Sequence, residues 1–526
     1  MSREPDAQRS QAPVPPAPAG SLVDRVVHGT LALSLVTAVN MAGQIATVPV
    51  AMLAWGAPRY GEWVALSALV GFLTLTDIGV QPHVVNQMTA AHARGDHDEL
   101  LTQLHSAFRF QSLLVTALLL LGAGVTALLP IQRWYGVASA SRLEVYLTVV
   151  LLGAELLIGV VTGPIGGAYR ATGRFARGAL VNLAHRVLFF GGQLGLMLAG
   201  AGFAAVALAR VALSLLITAW LVVDLRQTLP WFSMSKLRGD LRTGLKMLGP
   251  ASLFVLTGLA DYLTLQGTVL VVQSLAGGAE VTQLTTQRTM VNMGRMIASQ
   301  LPIVLWPEIT AMSARGEQDK LLRVHRSMAK MVAFMVGALL FALLPLGRIV
   351  YSLWTLRSLS FDPSLYGIMA AQTIAWGVWS SSATVLVATN RQRRLASFLI
   401  ANAALTIALA VVLVPRLGVR GAALAALVAD LAIMAWSAPR AACAITGDRL
   451  PAFAREVLGA LFIGLALPAA FGALVYVALP WPSARVVIAP IAGLAVGLVA
   501  FFLAFAEPER LAARRVLDRL RARLSR

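Results

Sequence analysis

Thr89-Ala-Ala-His-Ala-Arg94-Gly95-Asp96-His-Asp98-Glu-Leu100-Leu101 is written a second time as Thr310-Ala-Met-Ser-Ala-Arg315-Gly316-Glu317-Gln-Asp319-Lys-Leu321-Leu322, 221 residues later (89 to 310). Ser106 and Ser327 extend the match at the same offset. Each copy follows one long apolar stretch and precedes another, so the chain is a tandem of two related halves. Internal symmetry of this kind is a mark of membrane proteins assembled from repeated helical bundles.

Working outward, 58% of the 526 residues are hydrophobic and 13% are charged. A soluble domain carries about 25% charged residues, so the chain is read as an all-α polytopic membrane protein. The single cysteine, Cys443, excludes an intramolecular disulfide and any multi-cysteine metal site, and its expected state is a small buried side chain. The histidines show no HExxH spacing, and His92, His97 and His105 are expected to be solvated in a polar loop. The charge of +19 is spread through short loops, which argues against nucleic acid as a partner. No GxxxxGK[ST] stretch is present, which argues against ATP hydrolysis.

A helix needs about 20 residues to cross a bilayer. On that basis, spans are expected near 26–53, 62–88, 107–129, 143–169, 178–199, 203–224, 248–273, 281–306, 328–350, 365–389, 395–414, 420–443, 456–479 and 486–506. The loops on the side of the termini hold about 31 Lys/Arg and the opposite loops about 8, so both termini are expected in the cytoplasm. Both copies of the repeat then fall on the cytoplasmic side, six spans apart, which makes the repeat parallel. A second echo, Ala171-Thr-Gly173-Arg174 against Ala388-Thr-Asn390-Arg391, agrees.

The expected organisation is a disordered tail (1–25), an N-terminal bundle (26–224), a linker with an amphipathic helix (225–247), a C-terminal bundle (248–443), two further spans (456–506) and a basic amphipathic tail (508–526). In that tail Ala513, Leu517, Leu520 and Leu524 recur at helical spacing among arginines, a pattern suited to anionic membrane lipids.

Polar residues inside the spans are the candidates for function. Thr285, Arg288, Asn292, Arg295 and Ser299 follow one another at spacings of 3, 4, 3 and 4, which puts them on one helical face about 21 Å long. Shifted by the repeat offset, the stripe meets Ser67, Gly71 and Thr74, and that face continues through Asp77 and Gln81. The first span shows Thr37, Asn40, Gln44 and Thr47, and the seventh Gly258, Asp261 and Thr268. Each intramembrane charge costs about 2.5–3.5 kcal/mol, so such residues face a cavity or a partner. Matched stripes in both halves are therefore read as walls of a central cavity.

Arg288, Arg295, Asn292, Asn40, Gln44, Arg186 and Arg210 are the candidate substrate contacts. Asp77, Asp261, Glu155 and Asp430 are candidates for coupling a cation, Na+ or H+, or for pairing with the arginines; Asp261 could neutralise Arg295. Arg210 and Asp430 are repeat equivalents, which suggests that they balance one another. Gly163/Gly167 and Gly191/Gly195 have the spacing of close helix packing. The short outer loops, without clustered Asp, Glu or His, leave little room for an enzyme site.

Tyr60-Gly61-Glu-Trp63, Asp77-Ile-Gly-Val80, Ala93-Arg-Gly-Asp96, Gly166-Gly-Ala-Tyr169-Arg170-Ala-Thr-Gly173-Arg174, Pro307-Glu308 through Arg315-Gly316, and Gly418-Val-Arg-Gly421 resemble, in order and spacing, the polysaccharide flippases (Wzx-type) of the multidrug/oligosaccharidyl-lipid/polysaccharide superfamily. The resemblance covers roughly 25–506. It implies two bundles working by alternating access on undecaprenyl-diphosphate-linked oligosaccharide, carried from the inner to the outer leaflet of the bacterial cytoplasmic membrane. It implies no enzymatic activity and no cofactor beyond a coupling ion, a monomer, and polysaccharide polymerase and glycosyltransferases as partners in surface polysaccharide export. Under it, Arg288 and Arg295 would hold the diphosphate, while Asn40, Gln44 and Asn292 would bond sugar hydroxyls. A lipid II flippase is weighed against this and set lower, because the first span lacks the charge expected there. A cation-coupled multidrug exporter is set lower because the eighth span is basic.

Overall fold

The structure is a computed structural model that describes residues 22–77, 80–234, 240, 256–478, 488 and 491–500. The expected N-terminal tail, most of the linker beyond Met234 and the basic tail from Pro508 lie outside the described residues.

The described chain is built from helices: α1 (Leu22–Ala54), α2 (Gly56–Gly71), α3 (Val80–Ala93), α4 (His97–Leu128), the short α5 (Ile131–Trp134), α6 (Arg142–Ala171), α7 (Phe175–Leu198), α8 (Phe203–Thr228), α9 (Thr268–Ala276), α10 (Gly278–Ala298), α11 (Gln300–Ala314), α12 (Gln318–Trp354), α13 (Pro363–Ala388), α14 (Gln392–Leu417), α15 (Val419–Ala429), α16 (Ala435–Thr446) and α17 (Leu450–Ala478). A further apolar helix covers Ile491–Ala500. Three of the joins are irregular turns that keep the chain running onward: a 3-10 turn at Phe72–Asp77 and π turns at Leu263–Gly267 and Asp430–Met434. Each expected span coincides with one helix, or with two joined by such a turn or a short break, over the described residues. Among these residues, seven helices are individually long and apolar enough to cross a bilayer. The chain is a multi-pass membrane protein. In α4 the apolar window is only 11% buried against protein, and Leu120, Leu121 and Leu128 are exposed. In water that surface would be a large penalty; in hydrocarbon it is solvated.

Helix ends obey local chemistry. Asp96 accepts the Glu99 N–H at 2.9 Å, and Ser141 accepts the Glu144 N–H at 3.2 Å, so side chains satisfy amides that the first turn leaves open. Asp362 caps α13 through the Ser364 and Leu365 amides, with Pro363 as the first helical residue.

The repeat is visible in the backbone. Gly95 (φ 75°) and Gly316 (φ 70°) each end a helix in the left-handed region. The hydrogen bonds match at the same offset: Asp96 N to Ala91 O and Glu317 N to Met312 O, both 3.0 Å. Gly173 (φ 72°) and Asn390 (φ 57°) form the second pair, with Arg174 N to Tyr169 O at 2.7 Å and Arg391 N to Leu386 O at 2.8 Å. Asparagine stands in for glycine there because it tolerates this conformation best among side-chain-bearing residues.

Contacts divide the chain into two compact units, Met1–Trp55 with Leu66–Gly258, and Gly56–Ala65 with Leu259–Arg526. In the first unit α1 packs on α7, α6 lies between α4 and α8, and α3 packs on α4 and α6 around a core that includes Met88, Leu104, Ile165, Tyr169 and Leu225. Gly163 and Gly167 admit Gln81 and Val85 of the α3 helix, as their spacing predicts, whereas open space lies over Gly191 and Gly195. In the second unit α12 packs along α17, where a Cβ on Gly464 would lie 2.5 Å from the Phe334 carbonyl oxygen. This unit also holds the start of α2: Thr282 Oγ1 donates to the Ala57 carbonyl at 2.6 Å. A Cβ on Gly61 would meet backbone atoms of Gly278 within 2.7 Å, so nothing larger than hydrogen fits without moving a helix. Gly61→Val is expected to cost at least about 1–3 kcal/mol, as overpacking against rigid backbone does. The check is the thermal unfolding midpoint in detergent, and a midpoint equal to wild type would refute this crossing.

Candidate functional site

The stripe read from the sequence lies on α10 in the second unit, and the structure gives its members different roles. Arg288 Nη1 donates to the Leu265 carbonyl at 2.6 Å, and Thr268 Oγ1 donates to the same oxygen at 3.0 Å. Leu265 lies in the π turn Leu263–Gly267, where the shifted ladder leaves carbonyls in need of donors. With Asn292 and Gln372, Arg288 lines a cavity of about 30 Å³, room for a single water. Part of Arg288 is therefore committed to bracing a helix.

Arg295 is held differently. Its guanidinium carbon sits 4.6 Å from the centre of the Trp376 ring. Asp430 and Asp261 act on it electrostatically. Asp430 itself is buried and accepts from Gln372 Nε2 at 3.1 Å and Asn402 Nδ2 at 3.0 Å. It opens the second π turn. Asn402 Oδ1 and Thr406 Oγ1, on α14 beside it, are buried with no protein partner among the described residues. Asp261 is exposed. Arg295, Asp261 and Asp430 thus form one electrostatic cluster flanked by both π turns.

In the first unit, Arg210 Nη2 donates to Glu155 Oε2 at 2.9 Å, and its guanidinium lies 4.5 Å from the Phe189 ring centre. This corrects the expectation that Arg210 and Asp430 balance one another. Each has partners inside its own unit, because the acid that faces Arg210 comes from the adjacent helix α6, which repeat alignment does not consult. For Arg186, Nε is buried with no protein partner among the described residues. Asn40 is half-buried and Gln44 exposed on α1, while Thr47 of the same stripe turns inward onto the Gly43 carbonyl at 2.7 Å. Asp77 ends the 3-10 turn after α2, and its side chain lies outside the described residues.

The three-histidine expectation also needs correction. His105 is buried, and its Nε2 meets the Ser233 carbonyl at 2.8 Å. His97 stacks on Trp231 with ring centres 4.2 Å apart. Helix α4 begins at His97, earlier than hydropathy alone places it, so His105 belongs to a helix and packs. Cys443 is buried as expected.

Sequence reasoning missed a cavity of about 490 Å³ in the first unit, between α6, α7 and α8. It is lined by Arg170, Asn182, His185 and Arg186 among others, with Gln81 at one wall. Asn182, His185 and Arg186 follow at 3 and 4 residue spacing, a signal present in the sequence but masked by the apolar residues around it. At one end of the groove Asp224 is locked by Tyr169 Oη at 2.6 Å and by Arg177 Nε and Nη2 at 2.9 and 2.7 Å.

No known protein-family profile matches the sequence, and no curated protein matches it. Solved structures do match. A lipid II flippase, MurJ, in an inward closed conformation superposes with TM-score 0.66 at 12% identity, covering 91% of this chain and 98% of that one. An inward-facing multidrug resistance MATE family transporter of the MOP superfamily gives 0.60 at 14% identity, covering 81% and 99%. A Vibrio cholerae MATE transporter gives 0.53 at 15%, covering 81% and 96%. At such identities the similarity speaks for architecture. The chain has the fold shared by these flippases and multidrug transporters.

Proposed function

We propose that the protein is a transporter, not an enzyme, and that it flips a polyprenyl-diphosphate-linked oligosaccharide across the bacterial cytoplasmic membrane by alternating access. The observation that carries this reading is Arg295. A guanidinium seated over Trp376, with no carboxylate bonded directly to it among the described residues, keeps donors available for an anionic cargo. A diphosphate cannot cross hydrocarbon unaided, whereas its lipid tail can stay there. Asn292 lies one turn away on the same face and, with Asn40 and Gln44 of α1, would serve sugar hydroxyls. Asp261 and Asp430 are the candidates to couple Na+ or H+, because they share Arg295's field. Glu155, bound to Arg210, is a pairing group. Cytoplasmic termini, contact of the basic tail with anionic lipids and hand-over to a polymerase belong to the same reading.

The test is reconstitution into proteoliposomes with a fluorescent undecaprenyl-diphosphate oligosaccharide in the inner leaflet. Protein-dependent appearance of label in the outer leaflet is expected, and no movement above empty vesicles would sink the proposal. A lipid II substrate is the second reading, favoured by the MurJ similarity over 91% of the chain. A deletion strain separates the cases: loss of surface polysaccharide supports the first, lysis the second, and drug hypersensitivity a multidrug exporter.

A further inference from the structure

The cavity of the first unit has a chemistry of its own. It runs along α6 from Ile158 to Arg170, about 18 Å at 1.5 Å per residue, and faces α7 and α8. No Asp or Glu is among its lining residues. Glu155 and Asp224, on two of the helices that line it, are already committed: Glu155 to Arg210 at 2.9 Å, and Asp224 to Arg177 and Tyr169. Arg170 stands exposed at one end, and Arg186, on α7, is half-buried. Arg186 Nε and His185 Nε2 are both buried with no protein partner among the described residues.

A guanidinium nitrogen buried without a partner in a membrane helix calls for an anion or water beside it. The amides of Asn182 and Gln81 also line the cavity, whereas the Thr162 and Thr218 hydroxyls donate to the Ile158 and Ser214 carbonyls. A guanidinium with amide donors on the same wall is how proteins hold phosphate oxygens. At about 490 Å³ the cavity is at the small end of ligand pockets and takes a headgroup rather than a whole lipid-linked oligosaccharide. The exposed apolar residues Leu180, Val187 and Leu188 on α7, and Leu215 and Leu216 on α8, put hydrocarbon-compatible surface on the same helices, where an acyl or prenyl tail would lie.

We infer that this groove is a phosphate-headgroup site, distinct from the Arg295 cluster, in which Arg186, with Asn182 one turn before it on α7, binds the phosphate of a membrane lipid. The inference does not depend on which cargo the protein moves. Two sources share the chemistry, a polyprenyl phosphate and an anionic glycerophospholipid, and the experiment tells them apart.

Full-length protein in neutral detergent is titrated with undecaprenyl phosphate, phosphatidylglycerol, phosphatidylcholine or inorganic phosphate, and bound copies are counted by native mass spectrometry. Two variants probe the groove by different routes. Arg186→Gln removes the charge. Gly166→Leu fills the space: a Cβ at Gly166 meets nothing within 4 Å, so the variant should fold normally. Each is expected to weaken binding of one copy of phosphate-bearing lipid by roughly 10–100-fold, the value of a lost charge-assisted contact. The loss should persist in an Arg295→Gln background, which isolates the groove from any phosphate held by the second unit. Preference for undecaprenyl phosphate identifies the carrier lipid as the ligand; equal binding of phosphatidylglycerol identifies bulk anionic lipid. Binding of inorganic phosphate alone, tight binding of phosphatidylcholine, or unchanged binding in Gly166→Leu would each overturn the lipid-phosphate site.

Discussion

Arg295→Ala is expected to lower flipping of the diphosphate-linked cargo by roughly 100-fold while the helices still insert and fold, since each lost charge-assisted hydrogen bond is worth about 1.5–3 kcal/mol. The physical reason lies in how the side chain is held. Arg210 is bonded edge-on to a carboxylate at 2.9 Å, and Arg288 spends a donor on the Leu265 carbonyl at 2.6 Å. Arg295 instead has its guanidinium carbon over Trp376, 4.6 Å from the ring centre, and no carboxylate bonded to it among the described residues. Asp430 and Asp261 stabilise the charge at a distance without occupying its donors. Arg295→Lys should rescue only part of the activity, because an ammonium neither stacks as a plane nor binds phosphate bidentately. Trp376→Leu should weaken transport through loss of the platform. The measurement is the initial flipping rate in proteoliposomes, normalised to inserted protein. A wild-type rate in Arg295→Ala would remove the residue from the transport path and with it the main support for an anionic cargo.

Much of the fold was legible because the positions that build it tolerate few residue types. A helix that stops in the left-handed region favours glycine or asparagine, so Gly95 and Gly316, and Gly173 and Asn390, stay readable when the helices between them have diverged. The face of α10 was legible too, since 3 and 4 residue spacing survives any packing. What the sequence hides is register and partnership. A π turn inserts one residue into the ladder and leaves no compositional trace, so nothing foretold that Leu265 would present its carbonyl to Arg288. Glu155 and Arg210 meet across 55 residues of chain on neighbouring helices, a contact that repeat symmetry cannot supply. The groove of the first unit was overlooked for a related reason. Its lining comes from three helices, and only their packing, with Glu155 and Asp224 taken elsewhere, reveals a pocket with no acid among its lining residues.

The largest stability effect is expected at Arg326, in the second unit. Its Nε donates to Asp448 Oδ2 at 2.7 Å, its Nη2 bonds Asp448 Oδ1, and its Nη1 donates to Glu456 Oε1 at 2.8 Å. Lys330 adds a contact to Glu456 at 3.5 Å. One guanidinium therefore ties α12 to the turn between α16 and α17 and to α17 itself. The Asp448 side chain is fully buried while Arg326 keeps 27% exposure, so truncating the arginine strands the acid. Removing one partner of a buried pair costs about 3–5 kcal/mol, and Arg326→Ala should lower the unfolding midpoint accordingly. The pH dependence has a definite sign. The Arg326 hydrogen bonds hold the Asp448 carboxyl below the usual carboxylate range, against the opposing effect of burial. A depressed folded value stabilises fully above the ordinary carboxylate pKa of about 3.9 and is lost only as pH falls through the folded value, so the wild-type midpoint should be flat from about pH 5 to 8 in this respect. In Arg326→Ala the main opposition to burial is gone, with the Arg449 backbone N–H bond and the field of His325 left, so the Asp448 pKa should rise. The variant should then regain stability as pH is lowered from about 7 to 5, because the stranded acid takes up a proton. Adding Asp448→Asn should recover part of the loss at neutral pH, since removing both charges is cheaper than removing one. A midpoint for Arg326→Ala within about 1 °C of wild type at every pH would show that this network does not hold α17 in place.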